Sequence, residues 1–140
     1  MFSSSAQSTS APSLTRLTPV LVVAAVEPCL QFWIDRFGFT AENQVPGKDG
    51  TLVFAVVKKG EVEVTYQTRA SVIAERPESA AELVGHLIAL FITTDDLDAV
   101  ERAIEGVPVV AARHPTFYGS TEIYVREPGG KTVGFAPFAS

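Results

Sequence analysis

Apolar residues recur along this chain with two different periods, and their order predicts its elements. Residues 16–25 are rich in Val and Leu in a nearly continuous apolar run, which predicts a strand buried on both faces. Glu27-Pro28 opens a helix, with proline tolerated in the first turn. Leu30, Trp33 or Ile34, and Phe37 follow at three- and four-residue spacing and give that helix one apolar face, and Gly38 is its stop. Three strands are predicted next, over residues 39–45, 51–58 and 61–68. The turn sequences Pro46-Gly47-Lys48-Asp49-Gly50 and Lys58-Lys59-Gly60 separate them.

Residues 69–85 read as a connector with a turn or two of helix. A second apolar strand covers 86–94, and Asp95-Asp96-Leu97-Asp98 starts a second helix with acidic residues at its positive end. Leu97, Val100 and Ile104 share one face, Asp98 and Arg102 stand at i,i+4, and Gly106 and Pro108 end the helix. Strands over 107–113, 120–127 and 131–137 complete the chain. The last two form a hairpin around Glu127-Pro128-Gly129-Gly130, with Pro128 at the first corner and both glycines read as positive-φ positions.

The pattern β-α-β-β-β thus occurs twice, which is an internal structural repeat. The expected fold is α+β: two βαβββ modules, about 15–68 and 86–138, forming a curled mixed sheet around a cavity. Residues 15–140 read as a single domain. Residues 1–14 are rich in Ser, Ala and Thr and read as a disordered tail. Arg16 ahead of the run from Val20 to Val26 imitates a short signal peptide. The basic segment is nearly absent, however, and the apolar run flows directly into the helix.

Composition narrows the function classes. The chain has 140 residues and is 46% hydrophobic and 19% charged, as in an ordinary globule. Its formal net charge of −5 disfavours nucleic acid and anionic membranes and favours neutral or cationic ligands. No apolar run is long enough for a membrane span. The lone Cys29 excludes an intrachain disulfide and fits a reducing cytoplasm; its place on an apolar helix face reads as a packed thiol. No nucleophile–base pair stands out, and Pro128-Gly129-Gly130 has no following helix that would make it a phosphate cradle.

Several segments together resemble the vicinal oxygen chelate superfamily, which includes glyoxalase I, extradiol dioxygenases, fosfomycin-modifying enzymes and bleomycin-binding resistance proteins. They are Leu21-Val22-Val23 through Glu27, Phe32-Trp33-Ile34-Asp35-Arg36-Phe37-Gly38-Phe39, Asp95-Asp96-Leu97-Asp98, and Tyr118-Gly119 with Glu127-Pro128-Gly129-Gly130. The Phe-Trp-x-Asp-Arg-x-Gly-Phe run most resembles the bleomycin resistance branch. The resemblance covers roughly residues 16–137 and implies paired modules, a U-shaped cavity and a homodimer. It also implies four metal-ligand positions, which fall here at Thr18 or Pro19, at Glu63, near Ala89 and at Gly134. Only Glu63 suits a metal. His86 lies three residues before Ala89, so a regular strand turns it to the opposite face.

The expected ligand-binding residues are Glu63, Thr65, Phe54, Phe91, His114, Phe117, Tyr118 and Tyr124, with no catalytic residue. Tyr66 is a further candidate cavity aromatic. Core packing is the simpler reading of Phe54 and Phe91, core or dimer contacts that of Phe32 and Trp33, and a solvated loop position that of His114, with a cavity-rim hydrogen bonder as its alternative. Arg126 reads as a surface charge. Together with the resemblance, these residues imply a non-catalytic small-molecule binding protein of the antibiotic-sequestering type, without cofactor, acting as a cytoplasmic homodimer. The alternative is a metal-dependent glyoxalase-like lyase or dioxygenase. It would hold one divalent metal ion in an atypical set built on Glu63 with His86 or His114. A third reading is a scaffold module without a small ligand.

Overall fold

A computed structural model of the chain describes residues 11–13, 17–77, 80, 88–116 and 118–137. The predicted tail therefore lies outside the described residues except for 11–13. His86 and Phe117 lie outside them too.

The first module runs β1 (Val20–Val23), α1 (Glu27–Phe37), β2 (Thr40–Pro46), β3 (Leu52–Lys59) and β4 (Val62–Thr68). A short helix, α2 (Arg69–Glu75), follows in the predicted connector. The second module is β5 (Ala89–Thr93), α3 (Leu97–Ala103), β6 (Val109–Pro115), β7 (Thr121–Arg126) and β8 (Thr132–Ala136). Each module makes a four-stranded mixed sheet, in the orders β1-β4-β3-β2 and β5-β8-β7-β6. The outer strand β1 or β5 runs parallel to its neighbour and the other pairs are antiparallel. The repeat read from the sequence is thus a repeat of topology, and the two sheets stay separate and unclosed.

Each sheet has two unlike faces, because side chains alternate along a strand. Leu21, Val23, Ala55, Val57, Val64 and Tyr66 face α1 and join the core, as do Ile123, Val125, Val133 and Phe135 of the second sheet. The first strand is not buried on both faces as expected. Leu21 and Val23 are buried, but Val20 is 44% exposed, since α1 covers only one side.

The helices end as their residues require. Gly38, at φ 73°, donates its N–H to Ile34 O while Phe39 donates to Trp33 O, the paired bonds of a glycine-stopped helix. Asp96 caps α3 by accepting from Ala99 N at 3.0 Å. Asp98 pairs with Arg113 of β6 at 2.7 Å, where Arg102 was the expected partner.

The modules join through this helix-side core. Phe37 stacks on Phe135 with ring centroids 5.4 Å apart. Trp33 Nε1 donates to Tyr66 Oη (2.9 Å), and Tyr66 Oη donates to Glu127 Oε2 (2.6 Å). Glu127 is 2% exposed, and its other oxygen accepts from Lys131 N. Tyr66, a candidate cavity aromatic, is therefore a core residue bridging the modules. In the β7–β8 turn only Gly130 has positive φ (87°). Gly129 is required for space: a Cβ there would lie 2.5 Å from Val23 Cγ1 and 3.0 Å from Cys29 Sγ.

Candidate functional site

The faces turned away from α1 and α3 carry the sequence-predicted residues. On β3 and β4 they are Phe54, Glu63 and Thr65; on β5, β6 and β7 they are Phe91, His114 and Tyr124. The second set converges. Gly134 pairs with Phe91 on one side and with Tyr124 on the other, so the three form one row across the sheet. In β6 the partner of His114 is Glu122, which lies two residues from Tyr124 and hence on the same face. The Tyr124 ring stands 6.5 Å from that of Phe91 and 6.4 Å from that of His114.

The centre of this cluster is Glu122, which the sequence reading did not single out. Tyr118 Oη donates to its Oε2 and Tyr124 Oη to its Oε1, both at 2.7 Å. Tyr118 reaches back because the segment after β6 closes on itself. Thr116 N–H donates to Ser120 O, Ser120 N–H to Thr116 Oγ1, and Gly119 turns the chain at φ 90°. The two rings cover Glu122, which is 2% exposed, whereas Tyr118 remains 59% exposed. Charge-assisted O–H···O⁻ bonds of this length favour an ionised carboxylate and neutral phenols. The hydroxyls of Tyr118 and Tyr124 accordingly hold the Glu122 carboxyl below its usual range. The bond to Glu122, and then burial, push the Tyr124 phenol up to about 12. The same bond raises Tyr118. In the sequence, strand spacing from Tyr124 puts Glu122 on this face but does not show the two hydroxyls that reach it.

Phe91 is 52% exposed, so its core reading is overturned; β5 is an outer strand of its sheet. With Pro19, Glu63 and Thr93 it lines a groove of about 340 Å³ where the two modules meet. Phe91 thus touches both this groove and the Tyr124 cluster. Phe54 and Thr65 stand apart. Half-buried Phe54 lines a second groove of about 500 Å³ with Val45, Gln67 and Ser71, and Thr65 is 3% exposed.

A larger groove, about 830 Å³, lies elsewhere, between α1, α3 and the β7–β8 turn. Two of its arginines are committed to backbone carbonyls: Arg36 to those of Ala103 and Glu105, and Arg126 to that of Gly130. The Arg36 bonds cross from α1 to the second module, so this groove runs along the seam between the modules. Cys29 beside it is inert. Burial, and then the charge of Glu127, raise its thiol to about 12.

The positions where the resemblance implies metal ligands do not fit a metal. At Gly134 a Cβ would lie 2.8 Å from Tyr124 Cδ2 and closer still to Cε2, so the tyrosine ring occupies the space a ligating side chain would need. Ala89 and Pro19 offer no donor side chain, and among the described residues no three of His, Cys, Asp and Glu lie together. Glu63 is left as a single carboxylate at these positions.

Comparison with known proteins agrees with this architecture. The model of the Glyoxalase/Bleomycin resistance protein/Dioxygenase superfamily matches residues 15–135. No curated protein sequence matches the chain. Among solved structures, TioX from Micromonospora sp. ML1 superimposes with a TM-score of 0.69 at 17% identity, covering 89% of this chain and 99% of its own. The bleomycin resistance determinant encoded on transposon Tn5 gives 0.66 at 15% identity, covering 91% and 100%. Lactoylglutathione lyase from Agrobacterium tumefaciens gives 0.65 at 19%, covering 90% and 95%. At these identities the likeness is one of fold.

Proposed function

The chain belongs to the Glyoxalase/Bleomycin resistance protein/Dioxygenase superfamily, and from that premise we propose that it binds a small molecule without transforming it, in the manner of an antibiotic-sequestering protein. The observation that carries this reading is the exchange at Gly134. Where a metalloenzyme of this fold would project a ligand, the Tyr124 ring lies against the sheet and forms a stacking surface with Phe91 and His114. Ring faces supply binding energy through buried area and stacking, and they need no bond-making. The fold is shared with a bleomycin resistance determinant as well as a lyase, so it supports either chemistry, and the donor set favours binding.

In this reading the binding residues are Phe91, His114, Tyr118 and Tyr124 around Glu122, with Glu63 across the groove. Phe54 and Thr65 of the first sheet, and Phe117, complete the proposed set. The chain works as a cytoplasmic homodimer in which a second copy covers the exposed sheet faces, including Phe91 and Tyr118. No helix of the described residues is long and apolar enough to cross a membrane.

Thermal-shift screening against antibiotics and aromatic metabolites tests the reading. A ligand that binds only the native state raises the melting temperature. At a concentration a hundred times its Kd it adds about 2.7 kcal/mol. Stoichiometric metal in protein purified without chelator, together with turnover of a glyoxalase or dioxygenase substrate that is lost in Glu63→Ala, would sink it. Sedimentation at micromolar concentration reads the dimer.

A further inference from the structure

The far face of the second sheet carries a buried carboxylate whose hydrogen-bond partners are neutral. Both oxygens of the buried Glu122 are occupied by hydroxyls, which are neutral. Among the described residues no lysine or arginine pairs with it. Arg113 is one residue before His114 and so faces the other way; Asp98 and Glu101 hold it at 2.7 and 3.1 Å. A buried carboxylate satisfied only by neutral donors retains most of its field, and a cation close by gains from it.

The surfaces around Glu122 add to that field. Phe91 is half exposed beside Tyr124, whose ring lies over Gly134. Aromatic faces carry negative electrostatic potential and attract cations, most strongly where water is partly excluded. The other titratable group from a facing strand is His114 of β6, whose Nδ1 lies 2.6 Å from Ala112 O and so carries its proton. β8 contributes Gly134, which has no side chain.

We infer that the site is selective for organic cations: an ammonium, a guanidinium or a protonated heteroaromatic ring whose charge rests on the Tyr124 and Phe91 rings within reach of Glu122. The inference rests on the binding function proposed above and adds the charge class of the ligand. Protonation of Glu122 would remove the charge that such a ligand needs, so its affinity falls in acid.

The test titrates the full chain with benzyltrimethylammonium and with neopentylbenzene, its neutral isostere, following the Tyr124 and Phe91 ring resonances by NMR. The expected result is binding of the cation about tenfold tighter than the isostere. Glu122→Gln, which keeps the shape of the side chain, should bring the two affinities together by weakening the cation. The wild-type comparison stands even where that variant fails to fold. Equal affinities for the two probes in wild type would overturn the inference while leaving the binding function intact. Silence of the rings toward both probes overturns it as well, and only silence toward the antibiotic panel also would remove the function beneath it.

Discussion

At Gly134 a missing Cβ decides which chemistry the second sheet can present. Replacement by alanine sets a methyl group against the Tyr124 ring, which must leave the sheet. Overpacking of this kind costs about 1–3 kcal/mol. Gly134→Ala should therefore lower the urea midpoint and weaken ligand binding together. Tyr124 gives a second prediction. Its folded pKa, raised to about 12, favours the neutral phenol in the fold. That contribution is fully present below the unfolded value of about 10 and is lost as pH rises through 12. Ultraviolet titration should find one tyrosine ionising near that upper value, and Glu122→Gln should bring it down toward 10. For Glu122 the sign is opposite: its depressed pKa stabilises the fold above the usual carboxylate range and fades as acid protonates it. Much of this site was legible in the sequence. Alternation along β7 and the loop position of Tyr118 marked the aromatic residues as candidates. Glu122 was not, because strand parity tells which face a side chain takes and not which hydroxyls arrive there from a neighbouring loop.

Among the elements, the β7–β8 hairpin shows how one sequence signal can have two physical causes. Gly129 and Gly130 are adjacent, yet one is needed for space and the other for its backbone conformation. Gly129→Ala should disturb the packing on Val23 and Cys29 and cost about 1–3 kcal/mol in denaturant unfolding. Gly119 provides the contrast: it has open space around it and a φ of 90°. Alanine there should cost about 1–2 kcal/mol through conformation alone, and asparagine, which tolerates positive φ, should recover part of it. The strand and helix order was readable because helix and strand periods alternate cleanly along the chain. The exposed face of β1 was not, since a four-residue apolar strand reads alike whether one side is covered or two. The partner of Asp98 was missed for a related reason. Helix spacing offered Arg102, while β6 brings Arg113 within 2.7 Å from outside the helix.

For the whole molecule, the join between modules rests on a short buried network, Trp33 to Tyr66 to Glu127. Tyr66→Phe removes the hydroxyl that serves both neighbours. It leaves the indole N–H without its acceptor and Glu127 Oε2 without its donor, a loss of about 1–3 kcal/mol. The variant should unfold at lower denaturant, and hydrogen exchange should show the largest gain at the β7–β8 turn, where Lys131 N–H is tied to Glu127. The network was invisible in the sequence because its members lie 33 and 61 residues apart. It also has an optical meaning. Trp33 is the chain's single tryptophan, fully buried, and its indole is bonded to the tyrosine that grips the other module. Its emission is therefore a built-in gauge of docking. A red shift would report water reaching the seam as the modules part, whereas the fluorophores of the Glu122 cluster are tyrosines.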